Sequence, residues 1–262
     1  MIEWPRKPSE IRNVLDSAVQ TIETERRRTN DERQAFVAFE RRVRDIEVEG
    51  STGAGRWLTD DRSVADTGGR ALAQVRDAYE ETVMSTPHYV EEYGDTYAES
   101  LVEEFDVTVT DALVNGDRLN RQVRRVLFAA IEKSKEKRRS FLSALDREAA
   151  SVRDARNSLR PVLDRLDEFQ PRAAMNRSST ESDATELPIA DYVERVETVT
   201  ETRQDTLFAL RHGGWQPPDA PDAAHYFYRE LAVDYPVLWA TAETSDWIEI
   251  LKTHRRRRFE AP

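Results

Sequence analysis

The stretch LFAAIEKSKEKRRSFLSALDREAASVRDARNSLRPVLDRLDEF, residues 127–169, decides the fold class. Steps of four and three from Leu127 land on Ile131, Ser134, Arg138, Phe141, Leu145, Glu148, Val152, Ala155, Leu159, Val162, Leu166 and Phe169. Residues spaced this way share one face of an α-helix, and sustained four–three spacing is the heptad pattern of helices packed side by side. Only Ser134, Arg138 and Glu148 interrupt the apolar register. The pattern predicts one long helix over about 117–169. Pro161 lies inside it and predicts a kink or a restart, because its ring removes an N–H and crowds the preceding turn.

A second segment carries the same pattern. From about Ser9, read as an N-cap, to Glu49, the steps pass through Ile11, Leu15, Ala18, Ile22, Phe36, Phe39, Val43 and Ile46. Glu25, Thr29 and Glu32 keep the register with polar side chains, which predicts one long helix with a polar middle; a break near Thr29-Asn30-Asp31 is the alternative. Between the long helices, shorter ones are expected over about 66–85, 89–105 and 108–114, ended by Pro87 and by the Asn115-Gly116 turn. The first carries Leu72, Val75, Tyr79 and Val83 on one face. The second carries Tyr93, Tyr97, Leu101 and Phe105, and the stripe Tyr89, Tyr93, Tyr97 reads as core.

Beyond the second long helix, residues 170–188 are rich in Ser, Thr, Asp and Glu and read as a linker. A helix over about 189–210 follows, with Ile189, Val193, Val196, Leu207 and Leu210 in register. Then come the aromatic run His225-Tyr226-Phe227-Tyr228 and two short closing helices, the second starting at Thr244 or Ser245. No segment alternates with period two, so no sheet is expected. The fold expected is all-α: an elongated, antiparallel, coiled-coil-like bundle over 1–169 with a small helical cap inserted at about 50–116, the linker at 170–188, and a C-terminal helical region over 189–262.

Composition narrows the chemistry. The 262 residues carry a net charge of −11, with 34% charged and 39% hydrophobic residues. The low apolar share suits helices that each bury one stripe. The chain has no Cys, which excludes disulfides, thiolate zinc sites and cysteine nucleophiles. No leader-like start and no apolar run long enough to span a bilayer is seen, so a cytoplasmic protein is expected. Only five of the 39 basic residues are Lys. Abundant carboxylates with scarce Lys resemble the usage of salt-loving archaea, where short carboxylates hold water and cations.

The segments Tyr79-Glu80-Glu81-Thr82-Val83-Met84, Pro87-His88-Tyr89, Glu91-Glu92-Tyr93-Gly94 and Arg138-Arg139-Ser140-Phe141-Leu142 carry a family resemblance. Over about residues 10–170 the chain resembles uncharacterised helical proteins of halophilic archaea. The resemblance implies a helical fold and a salt-rich setting, and implies no activity.

Four places could carry chemistry. His88, Glu91 and Glu92 fall within one turn and could ligate a metal; the plainer reading is a helix start whose carboxylates favour its positive end. A bundle-core di-iron site is not expected, because the sequence holds no Glu-x-x-His pair. The run Gly50 to Gly55 is similar to a phosphate loop but lacks the Lys-Ser/Thr ending and reads as a turn. Arg255, Arg256, Arg257 and Arg258 form a basic tail that could contact phosphate or a partner's carboxylates. Four phosphate contacts give a log–log salt slope of about −3.6, and at 1 M salt the Debye length is about 3 Å, so high salt disfavours nucleic acid. Lys133 to Arg139 is a basic stretch that reads as a solvated face or as pairing with Glu25 and Glu32 across the seam.

The expectation is a non-enzymatic helical scaffold or adaptor, acting through a protein partner or self-association, with no cofactor. The alternative is a DNA-associated regulator that uses the arginine tail.

Overall fold

The structure is a computed structural model describing residues 5–47, 61–175, 188–216 and 220–260, with the backbone alone at 61–68, 169–175, 254 and 257–260. Among the described residues there are nine helices and no strand: α1 (Pro8–Asp45), α2 (Asp61–Glu80), α3 (Tyr89–Glu92), α4 (Tyr97–Glu104), α5 (Val107–Val114), α6 (Arg121–Met175), α7 (Ile189–Arg211), α8 (Ala223–Tyr228) and α9 (Pro236–Glu260). The protein is all-α. The turn expected at Gly50 to Gly55 and most of the expected linker lie outside the described residues.

The chain divides into two compact units. One combines Met1–Arg26 with Ser143–Pro262; the other is Arg27–Leu142. Both boundaries fall inside the long helices.

In the first unit, Ile11, Leu15, Ala18 and Ile22 of α1 are fully buried, as are Leu145, Val152, Leu159, Val162 and Leu166 of α6. Ion pairs flank these apolar stripes: Arg12 with Asp164 at 2.9 Å and Asp167 at 2.5 Å, Asp16 with Arg156 at 3.2 Å, and Glu23 with Arg153 at 2.7 Å. Rising numbers on one helix meet falling numbers on the other, so these parts run antiparallel. Helix α9 packs against α7. Its Trp247 is fully buried and donates its indole N–H to the Arg6 carbonyl at 2.8 Å, tying down the start of the chain.

In the second unit, Phe36, Phe39 and Val43 of α1 join Val75 and Tyr79 of α2, Tyr97 and Leu101 of α4, Phe105, and Leu127 and Ile131 of α6 in one core. Tyr79 lies at its centre. Its ring meets Phe39 and Tyr97 edge-on, with centroids 5.2 and 5.6 Å away, and its hydroxyl is 2.9 Å from Ser100 Oγ.

Several expected boundaries are corrected. Helix α1 begins at Pro8, whose fixed φ suits a first turn. The Lys7 carbonyl accepts the first helical N–H groups, so Ser9 is not the cap. No break occurs at Thr29–Asp31, and α6 runs through Pro161 without a restart. The helix expected over 89–105 is instead two. Gly94 adopts φ +62° between them, and Thr96 caps α4 through a reciprocal bond with Glu99. That is a capping box, which starts a helix. Helix α9 begins at Pro236, because Thr244 and Ser245 return their hydroxyl protons to the carbonyls of Ala240 and Thr241 inside the helix. Such back-bonding leaves no role for them as caps.

Candidate functional site

The polar positions of the two seams organise the molecule's main candidate sites. In the Arg27–Leu142 unit, α1 contributes Glu32, the turn before α3 contributes His88, α3 contributes Glu92, and α6 contributes Arg138. His88 Nε2 lies 3.1 Å from Glu32 Oε1 and 3.9 Å from Glu92 Oε2. The nearest ligand atoms of Glu32, His88 and Glu92 all fall within 4.8 Å of one another. His88 is only 6% exposed. Arg138 Nε donates to Glu32 Oε2 at 2.8 Å, and its Nη atoms reach Glu104. Tyr93 donates its hydroxyl to Glu32 Oε1 at 3.2 Å, and Arg28 pairs with Glu92.

Burial works against the charged Arg138 guanidinium, but hydrogen bonds and attraction from Glu104 and Glu32 outweigh it and raise its pKa. It stays charged under all ordinary conditions, and it also lies 4.5 Å over the Phe36 ring in cation–π geometry. The Tyr93 phenol is raised as well, first by partial burial and then by the Glu32 and Glu92 charges.

Of the expected trio, His88 and Glu92 are brought together, while Glu91 is turned to solvent. Glu32 takes its place from α1, 56 residues earlier in the sequence. The register offered a signal, since Glu32 and Arg138 are both polar seam positions. For Arg138 the basic stretch follows the pairing alternative rather than the solvated face, through Glu32, and Lys135 pairs with Glu40 at 2.8 Å.

The other unit holds a second buried network, of which the seam register shows only Glu148. Glu148 of α6 is fully buried and accepts both terminal nitrogens of Arg203, each at 2.8 Å, along with the Tyr228 hydroxyl at 2.6 Å. Arg203 is 1% exposed. Burial disfavours its charge, yet the Glu148 carboxylate outweighs this and raises its pKa. The buried stripe of α7 is Ile189, Tyr192, Val196, Val199, Arg203 and Leu210. Stepping by three and four from Ile189 lands on Arg203, so the register held the signal.

The basic tail lies on the last turns of α9. Arg255 and Arg256 are exposed there, while the side chains of Arg257 and Arg258 lie outside the described residues. In the aromatic run, Phe227 and Tyr228 are buried, and Trp215 stacks on Phe227 at 5.5 Å.

A further surface belongs to the short helices. Seven large apolar side chains are exposed among the described residues, and five of them, Val90 (80%), Tyr93, Val102, Val107 (79%) and Val114, fall on or beside α3–α5. From Asp77 to Asp117 the sequence holds twelve Asp and Glu and neither Lys nor Arg.

Fold and polar networks together define an all-α protein whose two compact units are each fastened by a carboxylate–guanidinium network. Residues 13–252 match the family model of DUF7260, a domain of unknown function, and the chain belongs to that family. No curated protein and no solved structure matches it. Among the described residues, no helix is long and apolar enough to cross a membrane.

Proposed function

We propose that this protein is a non-enzymatic helical scaffold or adaptor that binds a protein partner through the short-helix surface of α3–α5. The exposed valines on those helices carry the reading, because apolar side chains concentrated on a surface mark interaction sites. The heptad seams are already filled within each unit, so a partner meets an outer face. Twelve acidic residues with no basic one between Asp77 and Asp117 select a partner with basic and apolar groups, and repel nucleic acid and anionic lipid.

Carboxylate richness and scarce Lys fit the cytoplasm of a salt-loving cell. Charge attraction is screened there within about 3 Å at molar salt, so the valines would supply most of the affinity and the carboxylates the selectivity. The arginine tail would serve a cationic helix end, with the last-turn charge opposing the dipole.

Capture at native salt tests this reading. A tagged wild-type chain should retain one protein in stoichiometric amount, and that protein, once purified, should bind directly. The Val102→Glu/Val107→Glu variant, folded by circular dichroism, should bind at least tenfold more weakly. Equal binding by wild type and variant would contradict the reading.

A further inference from the structure

The geometry points to a binding site for a divalent transition-type cation, zinc or a zinc-like ion, made by Glu32, His88 and Glu92. This inference is independent of the adaptor reading. Zinc takes imidazole nitrogen and carboxylate oxygen at about 2.0–2.2 Å, in a tetrahedral arrangement. Two such ligand atoms then lie about 3.4 Å apart. His88 Nε2 already stands 3.1 Å from Glu32 Oε1 and 3.9 Å from Glu92 Oε2, so a cation would need only small side-chain shifts to engage all three.

The wiring of the carboxylates argues for a built site. Each is held by a guanidinium through its far oxygen: Glu32 Oε2 by Arg138 Nε at 2.8 Å, and Glu92 Oε1 by Arg28. Their other oxygens, Glu32 Oε1 and Glu92 Oε2, are the ones that face His88 Nε2. Metal-ligating carboxylates are oriented by such outer hydrogen bonds, which are as much part of a site as its ligands. Tyr93 donates to Glu32 Oε1 and can keep that bond when the oxygen also ligates, since the oxygen has two lone pairs.

Charge and burial agree with this. Three carboxylates, Glu32, Glu92 and Glu104, face two guanidiniums, Arg28 and Arg138, leaving a surplus carboxylate beside the His88 imidazole. The His88 ring is buried, so its nitrogen is shielded from bulk water, while the Glu92 side chain is 26% exposed and leaves a way in. One imidazole with two carboxylates suits zinc, manganese, iron or cobalt over the oxygen-only preference of calcium. Three protein ligands leave a fourth position of the tetrahedron for water.

Chelator-treated full-length protein, titrated with cobalt(II) and followed by its visible absorption, tests the proposal. One equivalent should bind per chain with an intense tetrahedral-type spectrum, and zinc should displace it. His88→Ala should abolish the spectrum, Glu32→Gln should weaken binding more than tenfold, and Glu91→Gln should leave it unchanged. Should His88→Ala fail to fold, nitrogen-15 shifts of the His88 ring in the wild type give the same answer, since zinc must move Nε2. Absence of stoichiometric binding, binding that survives in folded His88→Ala, or an Nε2 resonance indifferent to zinc would overturn the site.

Discussion

Arg203 and Glu148 face each other as a bidentate pair, two contacts of 2.8 Å, with side chains 1% and 0% exposed. Charge removed this fully from water is stable only while both partners remain. The Tyr228 hydroxyl and Ser151 complete the shell at 2.6 and 3.2 Å, while Arg203 Nε finds no acceptor among the described residues. Arg203→Ala is expected to cost about 3–5 kcal/mol, the usual result of stranding a buried charge. Arg203→Met with Glu148→Leu should recover most of that loss. Denaturant titration of the two variants checks both statements.

The matching network of the other unit couples Arg138 to Glu32 across the seam. Both side chains are partly screened, at 13% and 16% exposure, so a smaller effect is expected. A double-mutant cycle with Arg138→Gln and Glu32→Gln should give a coupling of about 1–2 kcal/mol. It should act on the unfolding of residues 27–142, read by amide exchange, and leave protection of α7 and α9 unchanged.

The junction between α3 and α4 rests on local chemistry. Gly94 adopts φ +62°, which a Cβ makes costly by about 1–2 kcal/mol. Gly94→Ala should therefore lower the melting temperature, and Gly94→Asn should lower it less. Thr96→Ala removes the α4 cap and should cost about 1 kcal/mol. Thermal unfolding of the three variants supplies the comparison.

Alkaline behaviour follows from the phenol at the core of the Arg27–Leu142 unit. Burial is the main cause of the raised Tyr79 pKa, partly offset by the Ser100 bond, against an ordinary value of 10.0. The folded value lies above the unfolded one, so this contribution is fully present below about pH 10 and is lost as pH rises above that toward the folded value. Stability should fall steeply above pH 10. Tyr79→Phe should cost about 1 kcal/mol at pH 8 through the lost hydrogen bond, and should flatten the alkaline decline in a denaturation series from pH 8 to 11.

Long-range order was legible where one rule ran for many turns. Four–three spacing located α1 and α6 and their buried faces, from Ile11 to Ile46 and from Leu127 to Leu166, because each further turn repeats the same evidence. Short-range order was harder. The aromatic stripe Tyr89, Tyr93, Tyr97 suggested one helix, yet Gly94 and the Thr96–Glu99 box divide it, and Tyr93 is half exposed. Thr244 and Ser245 suggest a helix start because their hydroxyls serve helix ends and helix interiors equally well. The sites failed for a different reason. Glu148 stands out as a polar seam position, but its partner Arg203 does not, because charged residues are seldom fully buried and only the pairing makes burial tolerable. Glu32 could be linked to His88 only in three dimensions, 56 residues away along the chain.

The adaptor reading turns on where a partner sits. Amide hydrogen exchange, recorded for the chain alone and for the chain saturated with its captured partner at native salt, measures this directly. New protection should concentrate on α3–α5, residues 89–114, around Val90, Val102 and Val107. Protection confined to α7 or to the arginine end of α9, with 89–114 unchanged, would contradict the account.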